Sequence, residues 1–68
     1  MILRLPDDVE MEVPIEYMVV KDSVFIPTLK PVELRVIIKR IARDLEFAVD
    51  IRNTVQDGYL GLMIWRVH

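Results

Sequence analysis

The apolar positions of this 68-residue chain change their spacing twice, and the changes mark out its elements. Ile2-Leu3-Arg4-Leu5 is a short β-type run. It stops at Pro6-Asp7-Asp8, where proline presets φ and aspartate can close on its own backbone. Val9-Glu10-Met11-Glu12-Val13 alternates strictly, which suits a strand with one buried and one wet face. Pro14 ends it, and residues 15–20 form a further β-type run. Lys21-Asp22-Ser23 predicts a turn before a strand at Val24-Phe25-Ile26. Pro6, Pro14 and Pro27 hold these strands to short lengths or to sheet edges.

From Pro31 the period becomes helical. Leu34, Ile37, Ile38, Ile41 and Leu45 fall on one helix face. Proline is favoured in a first helical turn because its missing N–H is not needed there. Glu33 sits at the positive helix end, with Lys39, Arg40 and Arg43 toward the negative one. Alternation returns from Glu46 to Arg52, with Phe47, Val49 and Ile51 on one side and Glu46, Asp50 and Arg52 on the other. Asp57-Gly58 is a strong hairpin signal, since glycine tolerates the positive φ such turns demand. The last strand, Tyr59 to Val67, is apolar on both faces. The expectation is one α+β domain over residues 1–68. It holds a small antiparallel-rich sheet of short strands and a single helix, in the order β-β-β-β-α-β-β.

A two-residue loop at Asp57-Gly58 sets Gln56 opposite Tyr59, Ile51 opposite Ile64 and Asp50 opposite Trp65. One sheet face then carries Phe47, Val49, Ile51, Val55, Leu60, Leu62 and Ile64, the expected core under the helix. The other carries Asp50, Arg52, Thr54 and Gln56 beside Tyr59, Met63, Trp65 and Val67. Either the N-terminal hairpins cover this second face or it stands open to a partner, as a surface of residue types enriched at binding hot spots. A loop one residue longer would exchange the two faces.

Charge is sorted along the chain. Residues 1–29 hold six acids against Arg4 and Lys21, a balance of −4, whereas residues 30–43 hold five bases against Glu33, a balance of +4. On the helix wheel Arg35, Lys39 and Arg43 fall almost opposite the apolar face, and Val32 and Val36 fall among them. Isolated surface valines are ordinary. Framed by cations, they form an apolar centre with a charged rim, as at a protein interface. Asp7, Asp8, Glu10 and Glu12 are the candidate counterpart, in this chain or in a second copy.

Composition narrows the function. A chain of this length removes only about 60% of its unfolded surface from water. It has no cysteine and a single histidine, His68, so neither disulfides nor a histidine-rich metal site can staple it. With 53% hydrophobic residues, self-association becomes an expectation. The lack of cysteine suits a reducing compartment. Met1 to Leu5 is too short an apolar run for a signal peptide. No stretch nears the roughly 18 apolar residues of a membrane helix. A cytoplasmic location is expected.

The net charge of −2 disfavours nucleic acid, whose backbone calls for a surplus of Lys and Arg. It remains the alternative through Arg35, Lys39 and Arg43, joined by Arg40, Arg52 and Arg66. Ser23 is the only serine, and Gly58 and Gly61 both lie in the hairpin, so no phosphate-cradling loop exists. Glu10 and Glu12 share a strand face and read as a wet face rather than a cation site. The expectation is a non-enzymatic protein-binding module, a small regulator or inhibitor that self-associates as a homodimer, without cofactor, metal or small-molecule substrate. Its candidate contacts are Val32, Arg35, Val36, Lys39 and Arg43 on the helix and Tyr59, Met63 and Trp65 on the sheet.

Overall fold

The computed structural model describes residues 1–68. In chain order they form β1 (Ile2–Arg4), β2 (Glu10–Glu12), a 3₁₀ turn (Ile15–Tyr17), β3 (Ser23–Pro27), α1 (Pro31–Asp44), β4 (Val49–Gln56) and β5 (Tyr59–Arg66). The α+β class holds, with one strand fewer than the sequence pattern suggested. β1 and β2 make a two-stranded antiparallel sheet, and β3, β5 and β4 make a second in that spatial order.

The C-terminal hairpin has the register its loop dictates. Asp57 and Gly58 take φ of 52° and 81°, the two positive values of a tight two-residue turn. Gln56 therefore pairs with Tyr59, Ile51 with Ile64 and Asp50 with Trp65. β3 pairs with the other side of β5, from Ser23 opposite Trp65 to Pro27 opposite Gly61. At that last pair the backbones crowd together. A Cβ on Gly61 would overlap the Ile26 carbonyl oxygen and lie 2.8 Å from Phe25 Cζ. Only glycine fits there.

Helix α1 lies on one face of the three-stranded sheet. Leu34, Ile38 and Ala42, spaced by four, are buried, with Leu34 and Ile38 packed among Ile26, Ile51, Leu62 and Ile64. Ile37, Ile41 and Leu45 pack partly around them. Pro31 occupies the first turn, and the buried Thr28 Oγ1 accepts the Lys30 N–H at 3.0 Å just outside it. The helix closes on Glu46, whose φ of 60° is left-handed. The Glu46 N–H donates to the Arg43 carbonyl at 3.1 Å and the Phe47 N–H to the Ala42 carbonyl at 2.8 Å. These bonds satisfy carbonyls that the helix end would otherwise leave free. Because residues 46 and 47 serve this cap, β4 starts at Val49, not at Glu46.

Leu3, Leu5, Val13 and Ile15 complete the same core, so the N-terminal hairpin stands beside the helix on the covered face. Residues 15–20 are not a strand. Ile15 and Met18 are both buried, and their spacing of three suits a 3₁₀ turn rather than alternation. Two cations tie this segment down. The Met1 ammonium donates to Glu16 at 2.5 Å, to the Val13 carbonyl at 2.8 Å and to Glu12 at 3.2 Å. The Glu16 hydrogen bond, above all, raises the pKa of this ammonium, although desolvation works against it. Arg66 donates from Nη1 to the Met18 carbonyl at 2.6 Å, while its guanidinium lies 3.5 Å from the Phe47 ring centre.

The helix does not reach the end of the hairpin. Val55 and Leu60, expected in the core, are 65% and 40% exposed. Length explains this: 14 helical residues span about 21 Å, whereas eight strand residues span about 27 Å. Phe47 and Val49 are half-buried at the opposite end. No helix is long and apolar enough to cross a membrane.

Candidate partner-binding surfaces

The face of the sheet turned away from α1 is built from alternate residues of three strands. Ser23, Phe25 and Pro27 come from β3, Tyr59, Gly61, Met63 and Trp65 from β5, and Asp50, Arg52, Thr54 and Gln56 from β4. The hairpin part is the grouping that the two-residue loop predicts. Helix and N-terminal hairpin both lie on the opposite side, so no second layer covers this face. Phe25, Met63 and Trp65 remain half-buried and Tyr59 exposed. Arg52 stands 5.7 Å from the Trp65 ring centre, within cation–π range, and its Nε donates to Asp50 Oδ2 at 3.1 Å. Beside this trio a cleft of about 470 Å³ is walled by Val20, Lys21, Trp65 and Val67. The arrangement offers a flat aromatic surface with fixed charges of both signs.

The helix stripe lies on the other side of the molecule. Val32 and Val36 are 71% and 56% exposed, with Lys39 and Arg43 exposed along the same flank. Arg35 is half-buried and engaged. Its Nη1 donates to the Ile51 carbonyl at 2.9 Å and its Nη2 to Asn53 Oδ1 at 2.8 Å. That clamp occupies the free edge of β4, a position where unpaired backbone invites another strand. The other edge, on β3, ends in Pro27, which has no N–H to offer. The acidic N-terminal turn does not neutralise the stripe. Asp8 pairs with Arg4 at 3.5 Å, Glu12 and Glu16 pair with the Met1 ammonium, and Arg43 contacts only its neighbour Asp44 at 3.9 Å.

A third feature lies at the hairpin tip. A cleft of about 540 Å³ opens between the β1–β2 turn, the β3–α1 connection and the start of β5. Leu5, Val9, Met11, Leu29, Tyr59 and Leu60 line it, together with Asp7. Asp7 Oδ1 is buried without a hydrogen-bond partner. Such an oxygen is costly in an apolar wall, because nothing replaces its lost water. No group of three or more His, Cys, Asp or Glu side chains is placed to hold a metal ion.

The candidate residues thus form two groups on opposite sides. Val32, Arg35, Val36, Lys39 and Arg43 share the helix flank; Tyr59, Met63 and Trp65 share the open sheet face. Sequence reasoning did not include Phe25, because nothing in the pattern fixed β3 against β5. It also missed the tip cleft. Leu29 was the available signal there, an exposed leucine between a strand and a proline-started helix with no periodic partner. No family model matches the chain, and no similarity to a curated protein or to a solved structure is found.

Proposed function

We propose that this chain is a non-enzymatic protein-binding module, a small cytoplasmic regulator or inhibitor that self-associates and meets its partner through the open face of the β3–β5–β4 sheet. One observation carries the reading: helix and N-terminal hairpin both cover the same side, leaving Phe25, Met63, Trp65 and Tyr59 without a layer. Aromatic, Met and Arg side chains are enriched at the cores of protein interfaces. Arg52, held by Asp50 against Trp65, adds a cation whose orientation is already fixed, which lowers the ordering cost on binding.

Nucleic-acid binding is the second reading, and the unneutralised helix flank favours it. Its cation set is smaller than the sequence suggests. Arg35 clamps β4, Arg52 pairs with Asp50, and Arg66 is tied to the Met18 carbonyl. Lys39, Arg40 and Arg43 remain, too few for a strong backbone footprint at a net charge of −2.

Affinity capture from native extract with the wild type, with Trp65→Ala and with Val36→Glu separates the readings. The expected result is a protein partner retained by the wild type and by Val36→Glu and lost with Trp65→Ala. A partner held equally by all three would place the contact elsewhere. Tight binding to a single- or double-stranded probe, falling steeply with salt, would transfer the function to the helix flank.

A further inference from the structure

We propose that the apolar cleft at the hairpin tip seats the basic flank of α1 from a second copy of this chain, so that two copies close a reciprocal dimer. The inference rests on the self-associating part of the proposed function and names the surfaces that do it. Two surfaces of this molecule are each incomplete, and each has what the other lacks.

The cleft is apolar at its centre, where Val9, Leu29, Tyr59 and Leu60 leave large side chains in water. Its surroundings are acidic. Asp7 lines it, Asp8 and Asp57 lie in the adjoining turns and Glu10 begins β2, against Arg4 and Lys30. Asp8 is paired with Arg4, but Asp7, Glu10 and Asp57 meet no cation in the molecule.

The helix flank is the inverse. Val32 and Val36 supply an exposed apolar centre, and Lys39 and Arg40 form no ion pair within the chain. The two surfaces cannot meet inside one molecule, because α1 is fixed by Leu34, Ile38 and Ala42 with this flank turned outward. They can meet between two.

Placement favours closure over a chain of contacts. Leu29 lines the cleft and Val32 opens the stripe three residues later, so both surfaces border the same end of the molecule. A two-fold axis at that end puts each helix against the other copy's cleft, and the contact is then made twice. Opposite charges around apolar centres also give the association a register.

Sedimentation velocity of the full chain at low salt, over a range of concentrations, tests the proposal. The wild type is expected to dimerise, with a dissociation constant that rises with salt. Asp7→Asn/Glu10→Lys and Lys39→Glu/Arg40→Glu are each expected to weaken the dimer at least tenfold. Mixed in equal amounts, these two variants are expected to pair again, because the altered cleft of one then faces the reversed helix of the other and the two unaltered surfaces face each other. Circular dichroism confirms that the variants are folded, and Val36→Asp gives a second disruption remote from the turn. A dimer that ignores both reversals and is lost with Trp65→Ala overturns the cleft and leaves self-association intact on the sheet face. A wild type that stays monomeric at every concentration overturns both, and leaves the capture experiment to judge the protein-binding reading alone.

Discussion

Ile64 and Trp65 are neighbours on β5, the middle strand of its sheet, yet one is sealed in the core and the other is half in water. The faces they belong to differ in what β4 supplies, Val49, Ile51 and Val55 beside Ile64 but Asp50, Arg52, Thr54 and Gln56 beside Trp65, and in what covers them. α1 and the N-terminal hairpin both pack on the Ile64 side, and none of these elements covers the other side. Alternation therefore states that a strand has two faces. Which of them becomes core follows from the polarity of the partner strand and from the segments that cover it.

The largest test of this contrast is a pair of alanine substitutions. Ile64→Ala empties a fully buried site and is expected to cost about 3–4 kcal/mol, enough to unfold much of so small a domain. Trp65→Ala is expected to cost about 1 kcal/mol, near the range of surface changes. Urea denaturation followed by far-ultraviolet circular dichroism reads both. Equal losses would mean that Trp65 is as covered as Ile64.

Gly61 is the one place where the open face is tight. Gly61→Ala forces a methyl group against the Ile26 carbonyl and the Phe25 ring, and about 3 kcal/mol is the expected loss. The same denaturation curve checks it. A neutral result would show that β3 is free to shift away from β5.

On the covered face, the helix end offers a gain. Glu46 holds a left-handed φ of 60°, where a side chain costs about 1 kcal/mol or more and glycine does not. Glu46→Gly is therefore expected to stabilise the fold by about 1 kcal/mol, seen as a higher urea midpoint at unchanged slope.

The smallest effect concerns the hairpin that completes the covered side. The Met1 ammonium has its pKa raised by Glu16 and Glu12, above an ordinary value near 8. A raised pKa means that the folded form holds the proton more tightly. This stabilisation is complete below the ordinary value and lost as pH climbs through the raised one. Amide shifts of β1 and β2 are expected to move over that alkaline range while those of β4 and β5 stay still. Simultaneous movement of both would show that the two sides of the core are not separable.

These contrasts also show what could be read from residue order. Asp57-Gly58 fixed a register, and with it the grouping of Asp50, Arg52, Met63 and Trp65, because a two-residue turn leaves no freedom. The helix was legible from Pro31 onward because a proline in the first turn, the charges at its ends and the apolar period agree. Residues 15–18 misled, since a short apolar run fits a strand and a turn equally until a partner is known. Val55 and Leu60 misled for a different reason: the pattern gives faces but not the length of the element that covers them. The tip cleft joins residues 5–11, 27–29 and 58–60, and no local signal reports a meeting of three distant segments.

The spatial order β3-β5-β4 has a consequence for how the chain is made. The middle strand is the last to be synthesised, so β3 and β4 emerge with no hydrogen-bonded neighbour in their own sheet. The core residues Ile26 and Ile51 wait with them for Leu62 and Ile64. Until those arrive, the nascent polypeptide is an incomplete sheet with two orphan strands, a form prone to wrong pairing. Completion of the sheet thus waits for β5, and a protease cut within residues 59–66 would remove the shared neighbour of both strands at once.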